Sequence, residues 1–211
     1  MTFKHASSNK PKKKNSTLNV KIRPNNRQVI AAFTQLLKAL GVNEHPEMAE
    51  TPKRAAELWL KHLLAGEQNN LANIIRKNSI STSSDPICLL NIGVHLVCPH
   101  HLTVGFGYAH IAYIPKKRVV GFGSLTRLVT TAAARFALQE DITNLIADAL
   151  MQQLEADAVI AVIDAIHPCH NLKHPRSHQA RAVTWAIRGP AKQSKILKTH
   201  VRDALCFTSK G

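Results

Sequence analysis

Cysteine and histidine residues concentrate in two short segments, CPHH at 98–101 and HPCH at 167–170. Cys98 and His101 are three residues apart, so a tight loop can present a sulfur and a nitrogen to one metal ion. Cys169 can add a third ligand from the end of a distant strand. Two thiolates and one imidazole form a Cys₂His set, which in catalytic zinc sites leaves the fourth tetrahedral position to water. Because zinc lowers the pKa of that water towards neutrality, the pattern predicts a source of hydroxide at physiological pH.

Spacing alone leaves three interpretations of these segments open. The first is the open catalytic zinc site. The second is a closed structural site that takes His100, His167 or His170 as a fourth ligand, and the third is a set of unrelated cysteines and histidines. In an open site we expect His100 and His167 to lie close to the metal-bound water. Histidine titrates near neutral pH, so either ring could then shuttle protons.

The composition is that of one globular domain with extended ends. The chain has 211 residues, of which 45% are hydrophobic, and this length can bury one good core. No apolar run approaches the roughly 20 residues of a membrane span, and the N-terminus lacks the apolar core of a signal peptide. Four scattered cysteines are too few for a disulfide framework and indicate metal binding or catalysis in a reducing compartment. We therefore expect a soluble, cytoplasmic protein with no membrane partner.

The positive charge lies in the two ends of the chain. The net charge is +15, yet residues 1–43 hold nine Lys and Arg with no acid, and residues 191–211 hold five against the single Asp203. The body is therefore nearly neutral, and basic tails bind nucleic acid only weakly and non-specifically. An aromatic content of 5% also argues against base stacking. A zinc-stabilised, non-catalytic nucleic-acid-binding protein stays as an alternative hypothesis, although a specific nucleic-acid partner is not expected.

The first part of the chain predicts a tail and then two helices. Residues 1–18 are polar and Lys-rich, which is typical of disorder. Within the predicted N-terminal helical region, 19–66, apolar residues recur at helical spacing from Asn26 onward. A second helix is predicted with Thr51 as its N-cap and Pro52 at its first position.

The rest of the chain predicts an α+β fold. Residues 67–85 are polar and Ser-rich and predict a loop, and a basic helix or tail is predicted over 191–211. Between them, helices and strands arrive in blocks and not in alternation, which favours α+β over a doubly wound sheet. The predicted strands are ICLLNIGVHLV, GFGYAHIAYIP, RVVGFG, 158–166 and 178–187, and the predicted helices are 124–137, capped by Ser124, and 140–155.

Several of these segments together resemble one family. In order and spacing, the chain resembles GTP cyclohydrolase I in CPHH, GYAHIAYIPKKRVVGFGSLTRLV, LQEDITNLIADALMQQL, AVIDAIHPCH and AVTWAIRG, and in the N-terminal helix signature TPKRAAELW. The resemblance covers roughly residues 28–190. It implies the tunnelling fold over 86–190, an antiparallel sheet backed by helices whose subunits assemble into a barrel. It also implies a homodecamer, a dimer of pentamers.

The resemblance further implies a reaction. The family hydrates C8 of GTP at a zinc centre, opens the imidazole ring and expels formate. An Amadori rearrangement and ring closure then give 7,8-dihydroneopterin triphosphate, the entry to folate or tetrahydropterin synthesis. The implied site residues are the zinc ligands Cys98, His101 and Cys169, the catalytic His100 and His167, and the substrate-binding Gln139, Glu140, Ser124, Arg127, Lys173 and Arg176.

Elementary chemistry agrees with two of these implied roles. A neutral purine C8 is a poor electrophile, so protonation of N7 by His167, assisted by His100, complements hydroxide delivery. The carboxylate of Glu140 can accept hydrogen bonds from guanine N1–H and the exocyclic amine together, a donor pair that adenine lacks. From the residue alone, Glu140 can equally be a helix N-terminal acid favoured by the helix dipole.

The implied phosphate-binding positions depart from the family pattern. A Ser-Lys pair ahead of the retained Arg127 is here Gly123 and Ser124, and Lys173 stands in place of an arginine. The loss of one cationic contact costs about 1.5–3 kcal/mol if nothing replaces it. The helix N-terminus at Ser124 is one possible replacement, since such termini bind anions. These departures leave a second enzymatic hypothesis, a divergent paralogue that acts on a related guanine nucleotide.

Overall fold

The structure of the chain is a computed structural model that describes residues 24–81, 85–174 and 180–208. The predicted tail at 1–18 and Arg176 lie outside the described residues. The helices are α1 (Asn26–Ala39), α2 (Thr51–Leu58), α3 (Leu71–Arg76), α4 (Phe122–Ala133), α5 (Gln139–Leu154), α6 (Pro168–Lys173) and α7 (Ala191–Thr208). The strands are β1 (Ser79–Ser81), β2 (Ile87–Val97), β3 (Val104–Ile114), β4 (Arg118–Val120), β5 (Ala158–Ile166) and β6 (Arg181–Arg188).

One antiparallel sheet forms the centre of the fold. Its strand order is β2-β3-β5-β6, and β1 and β4 pair separately. Strands β2 and β5 are both antiparallel to β3, so they run in the same direction and end at the same edge of the sheet. The residues that directly follow β2 and β5 are therefore close in space, although some 70 residues separate them in the chain.

Helices pack on both faces of this sheet. One face is covered by α4 and α5, and α5 buries Ile142, Ile146, Leu150 and Leu154, which recur every four residues along its inner side. On the other face, Leu197 of α7 packs in a cluster with side chains of β3 and β5. Helices on both faces explain why β5 is an almost continuous apolar run and does not alternate.

The α+β class predicted from the sequence is confirmed, with an antiparallel sheet backed by helices and with N-terminal helices before it. No described helix is both long and apolar enough to cross a membrane. The C-terminal helix α7 is 18 residues long and lies within 191–211, the stretch for which the sequence predicts a basic helix or tail.

Two predicted helix caps were wrong. The N-cap of α2 is Glu50, and Thr51 is the first helical residue, with its hydroxyl against the sulfur of Met48 at 3.7 Å. The N-cap of α4 is Gly121, which leaves Ser124 inside the first turn. In both cases the helix begins earlier than the local cap signal indicates, because the backbone before it is already ordered: a short 3-10 helix ends at Met48 before α2, and β4 ends at Val120 before α4.

The prediction of a structureless loop over 67–85 was also wrong. This stretch contains α3, whose Leu71, Ile74 and Ile75 are buried in the core, and β1. A helix of six residues is too short to be stable by itself, so its tertiary contacts stabilise it.

Candidate active site

The loop after β2 holds two of the predicted metal ligands. Its backbone closes on itself, because the N–H of Cys98 donates to the carbonyl of Thr103 and the N–H of Leu102 donates to the carbonyl of Cys98, each at 2.9 Å. Leu102 takes a left-handed conformation with φ 57°, which tightens the turn. As a result, the Sγ of Cys98 lies 3.6 Å from Nδ1 of His101.

The third predicted ligand, Cys169, lies in the first turn of α6, which starts directly after β5. The N–H of His170 donates back to the carbonyl of His167 at 2.9 Å and so turns the chain at this point. The turn brings the Sγ of Cys169 to 3.7 Å from the Sγ of Cys98. The ligand atoms of Cys98, His101 and Cys169 all lie within 4.8 Å of one another, and this trio could hold a metal ion.

A glycine on β3 allows the strand ends to converge. A Cβ at Gly105 would lie only 2.8 Å from the carbonyl oxygen of Ile166 and 3.7 Å from Nδ1 of His167. Any larger residue would therefore push β3 away from the end of β5, after which His167 and Cys169 follow in the chain.

Lys173 contacts His101 of the metal trio and does not line the adjacent cavity. Its Nζ is 2.8 Å from Nε2 of His101, and both side chains are exposed. A lysine ammonium only donates, so in this arrangement Nε2 of a neutral His101 accepts and Nδ1 carries the proton. A metal ion on Nδ1 would require the opposite tautomer, so this contact with Lys173 and metal binding at Nδ1 would exclude each other.

His167 is held from its buried side by Gln139. Its Nε2 lies 2.6 Å from Oε1 of Gln139. The amide nitrogen of Gln139 faces three acceptors, which are the carbonyls of Ile163 at 3.0 Å and Ala182 at 2.9 Å and the hydroxyl of Thr184 at 3.1 Å. Because carbonyl oxygens only accept, the NH₂ end of the amide must face them, and Oε1 must accept from His167.

This contact sets the tautomer of His167. The proton of the neutral ring is on Nε2, and Nδ1 has no hydrogen-bond partner among the described residues. Burial lowers the pKa of His167, an effect that the nearby charge of Glu140 opposes and that His170 reinforces. Nδ1 is therefore the atom at which this ring can exchange a proton.

One cavity of about 440 Å³ adjoins these groups, a size typical of small-molecule sites. The metal trio contributes to its wall. Further predicted site residues line it as well, namely His100, Gln139, Glu140 and His167. Glu140 is exposed in the first turn of α5, so it is both a helix N-terminal acid and a carboxylate at the cavity.

The predicted phosphate-binding residues are not brought together in the same way. Ser124 and Arg127 lie on α4, and neither lines the cavity. Arg181 does contribute to the lining, but its guanidinium is paired with Asp164 at 2.7 Å. Among the described residues, the cavity therefore has no unpaired Arg or Lys side chain in its lining.

Sequence reasoning missed the hydroxyl groups behind Gln139. Thr143 is 1% exposed, and its Oγ1 lies 2.6 Å from that of Thr184. The four-residue spacing of Gln139 and Thr143 places them on one helix face and is a signal that the sequence does contain. Nothing in the sequence pairs either residue with Thr184 of β6.

Comparisons with known proteins identify the family of the chain. A family model described as GTP cyclohydrolase I matches residues 29–205. GTP cyclohydrolase 1 of Corynebacterium glutamicum (strain R) is 36% identical over 174 residues, which cover 81% of this chain and 88% of the relative. GTP cyclohydrolase 1 of Bacillus subtilis (strain 168) is 31% identical over 181 residues, which cover 85% of this chain and 95% of the relative.

A solved structure is also similar to part of the chain. It is titled as the crystal structure of the archaeosine synthase QueF-Like in the apo form, with a TM-score of 0.43 and 15% identity, and it covers 52% of this chain and 99% of that one. A likeness this weak supports no argument. The family match over most of the chain, with relatives above 30% identity over about four fifths of it, shows that this chain belongs to the GTP cyclohydrolase I family.

Proposed function

We propose that this chain is a zinc-dependent GTP cyclohydrolase I that converts GTP and water into formate and 7,8-dihydroneopterin triphosphate. The family and its named relatives support this activity. The observation that carries the proposal is that one cavity is lined by the metal trio, by His167 and by Glu140. A metal ion, a ring that exchanges protons and an acceptor for the hydrogen-bond donors of guanine would thus face the same bound nucleotide.

Two of the three ligand distances in the trio fit a zinc site. In a tetrahedral site with zinc–sulfur bonds of about 2.3 Å and a zinc–nitrogen bond of about 2.0 Å, two sulfurs lie about 3.8 Å apart and a sulfur and a nitrogen about 3.5 Å apart. The corresponding distances in this chain are 3.7 Å for Cys98–Cys169 and 3.6 Å for Cys98–His101. Zinc bound there supplies a Lewis acid that makes a water molecule acidic near neutral pH.

We assign the proton transfer to the purine to His167. The Nε2–H of this ring is engaged in the hydrogen bond to Gln139. The proton that passes to N7 of the purine is therefore the one that Nδ1 carries in the protonated ring. A proton on N7 withdraws electrons from C8 and makes it a better electrophile. His100, in the loop after β2, lines the same cavity and assists as a second proton carrier.

We assign guanine selection to Glu140, with Gln139 beside it. The Glu140 carboxylate accepts from the N1–H and the exocyclic amine of guanine, whereas adenine presents no such pair. Gln139 has both amide hydrogens directed at protein acceptors, so the second lone pair of its Oε1 is the group that it can offer to the base.

The triphosphate contacts are assigned to Lys173, Arg176, Ser124 and Arg127. Lys173 is next to the cavity, and its ammonium would be free of His101 with a metal ion bound to that ring. Because Ser124 and Arg127 lie on α4 outside the cavity of their own chain, we assign them to GTP bound by a neighbouring copy.

We further propose that the chain forms the homodecamer implied by its family and works in the cytoplasm, where reducing conditions keep its thiols free. The face of β3 and β6 away from α5 supports assembly, because Phe106, Tyr108, Val183 and Trp185 are each about half exposed there. Light scattering should give a particle ten times the 23.2 kDa of the chain, and a monomer at working concentration would contradict the assembly.

The test of function is metal analysis combined with formate release from GTP, GDP and GMP measured side by side. We expect one zinc per chain, preference for GTP, and a product that becomes a fluorescent pterin on oxidation. His167→Gln should keep zinc and lose turnover. A preference for GMP would support the divergent paralogue, and no formate from any of the three would refute the proposal. The family membership favours an enzyme over the nucleic-acid-binding hypothesis.

A further inference from the structure

The connection between α4 and α5 forms part of the cavity wall. It runs from Ala134, the C-cap of α4, to Leu138, the N-cap of α5, which makes no side-chain capping bond. Ala137 and Leu138 line the cavity directly before Gln139 and Glu140, which line it as well. The connection contains neither helix nor strand, so contacts with other segments must hold it in shape.

The segment 66–69, which follows the N-terminal helices, contacts this connection. The N–H of Gly66 donates to the carbonyl of Ala134 at 2.9 Å. The guanidinium of Arg135 donates to the carbonyl of Asn69 at 2.6 Å. A Cβ at Gly66 would lie 2.8 Å from the carbonyl oxygen of Ala134, so the two segments approach each other backbone to backbone. These contacts hold the part of the connection that is closest to α4.

Glu67 holds the connection at the point nearest to the cavity. Its Oε1 accepts from the backbone N–H of Phe136 at 2.5 Å, and a bond to a charged acceptor is stronger than one between neutral groups. The next anchored residue is Gln139, whose side-chain amide donates to the backbone of β5 and β6. Only Ala137 and Leu138 separate the two anchored residues, so these two cavity-lining residues form a short span that is held at both ends.

We propose that Glu67 is a positioning residue that keeps this span in the shape that receives the purine. The inference rests on the proposed function, in which the guanine of GTP binds at this part of the wall beside Glu140. A wall that is already ordered lowers the entropy cost of binding. Without the carboxylate of Glu67 the span is held only at Gln139, and binding of the nucleotide must then order it.

The same geometry limits what the loss of Glu67 can change. Glu67 does not line the cavity itself. Gln139 keeps its own hydrogen bonds to β5, to β6 and to His167, so the groups around the metal trio stay in place. The loss of Glu67 should therefore weaken binding of GTP and leave the chemical step nearly unchanged.

Glu67→Ala tests the proposal through the separate effects on KM and kcat. We expect KM for GTP to rise roughly 3- to 10-fold, with kcat for formate release within about twofold of the wild type. A purely structural role predicts the opposite, because a partly unfolded population lowers the measured kcat and leaves KM unchanged. Val201→Ala is the control for such a loss of stability, since Val201 is fully buried on α7 at the other face of the sheet, and it should keep the wild-type KM.

Glu67→Gln separates the hydrogen bond from the charge. Burial lowers the pKa of the Arg135 guanidinium, and the carboxylate of Glu67 opposes this effect. Glutamine loses that charge but keeps an oxygen that can accept from the N–H of Phe136. We expect KM for GTP within about twofold of the wild type, since the span is still held at both ends. The proposal is wrong if Glu67→Gln raises KM as far as Glu67→Ala does, or if Glu67→Ala lowers kcat and leaves KM unchanged.

Hydrogen exchange tests the anchoring without relying on turnover. In mass spectrometry of peptides that span 134–142, backbone amides of Glu67→Ala should exchange faster than those of the wild type, because the N–H of Phe136 has lost its acceptor. Glu67→Gln and Val201→Ala should match the wild type in this segment. Unchanged exchange in Glu67→Ala overturns the inference. If the wild type released no formate from GTP, the proposed function would fail, while the exchange data would still decide whether Glu67 holds the connection.

Discussion

Replacement of Cys169 by serine tests the metal centre most directly. The two sulfurs of Cys98 and Cys169 are 3.7 Å apart, and if this distance is one edge of a tetrahedron, each bond to an ion at its centre is about 2.3 Å, the zinc–thiolate length. X-ray absorption at the zinc edge of the wild type should therefore show two sulfur neighbours at about 2.3 Å and lighter neighbours at about 2.0 Å. Cys169→Ser should lose one sulfur neighbour and bind zinc at least about 100-fold more weakly. Loss of a residue that only hydrogen-bonds a metal ligand already lowers metal affinity roughly 10- to 100-fold, and Cys169 is assigned as a ligand itself.

Cys88 provides the matched control for this experiment. It lies at the start of β2, at the opposite end from Cys98, and burial raises the pKa of its thiol, which disfavours the thiolate that a metal needs. Cys88→Ala should keep full zinc and both sulfur neighbours. An unchanged sulfur count in Cys169→Ser would refute the assigned ligands. Loss of zinc in His167→Gln would refute the open site, since that ring would then be a fourth ligand.

Three further predictions concern the surroundings of the metal. Glu140→Ala should raise KM for GTP roughly 10- to 100-fold with zinc retained, since a pair of hydrogen bonds to a charged group is worth about 1.5–3 kcal/mol. An unchanged KM in steady-state kinetics would contradict guanine binding by this residue. Gly105→Ala should lower the free energy of unfolding by about 1–3 kcal/mol in urea titrations, because its Cβ would lie 2.8 Å from the carbonyl of Ile166, whereas Gly93→Ala, with nothing within 4 Å, should cost far less. Burial lowers the pKa of His110, so as the pH falls the unfolded chain protonates this imidazole before the folded chain does, and the free energy of unfolding decreases below about pH 6.5. His110→Gln should therefore lose less stability than the wild type over that pH range. Equal losses in the two proteins would contradict a role for His110.

Most of the fold could be predicted from the sequence, because each long helix or strand has its own pattern of apolar residues. The α1, α4 and α5 helices repeat apolar residues at helical spacing, and β2 and β3 are long apolar runs bounded by turns. The errors fell where a segment depends on its neighbours. The α3 helix is short and lies in a polar stretch, so only its packing against α4 and α5 shows that it is a helix.

The sequence by itself also determined which residues have the chemistry for the metal, since the ligand types and the C-x-x-H spacing of Cys98 and His101 are local properties. Their convergence with Cys169 was decided by the sheet, because β2 and β5 flank β3 and end at the same edge. The family resemblance implied a role in proton transfer for His167, but the hydrogen bond that holds its Nε2 comes from Gln139 of α5. A hydrogen bond between residues 28 positions apart leaves no periodicity in a single sequence, and only the tertiary structure reveals it.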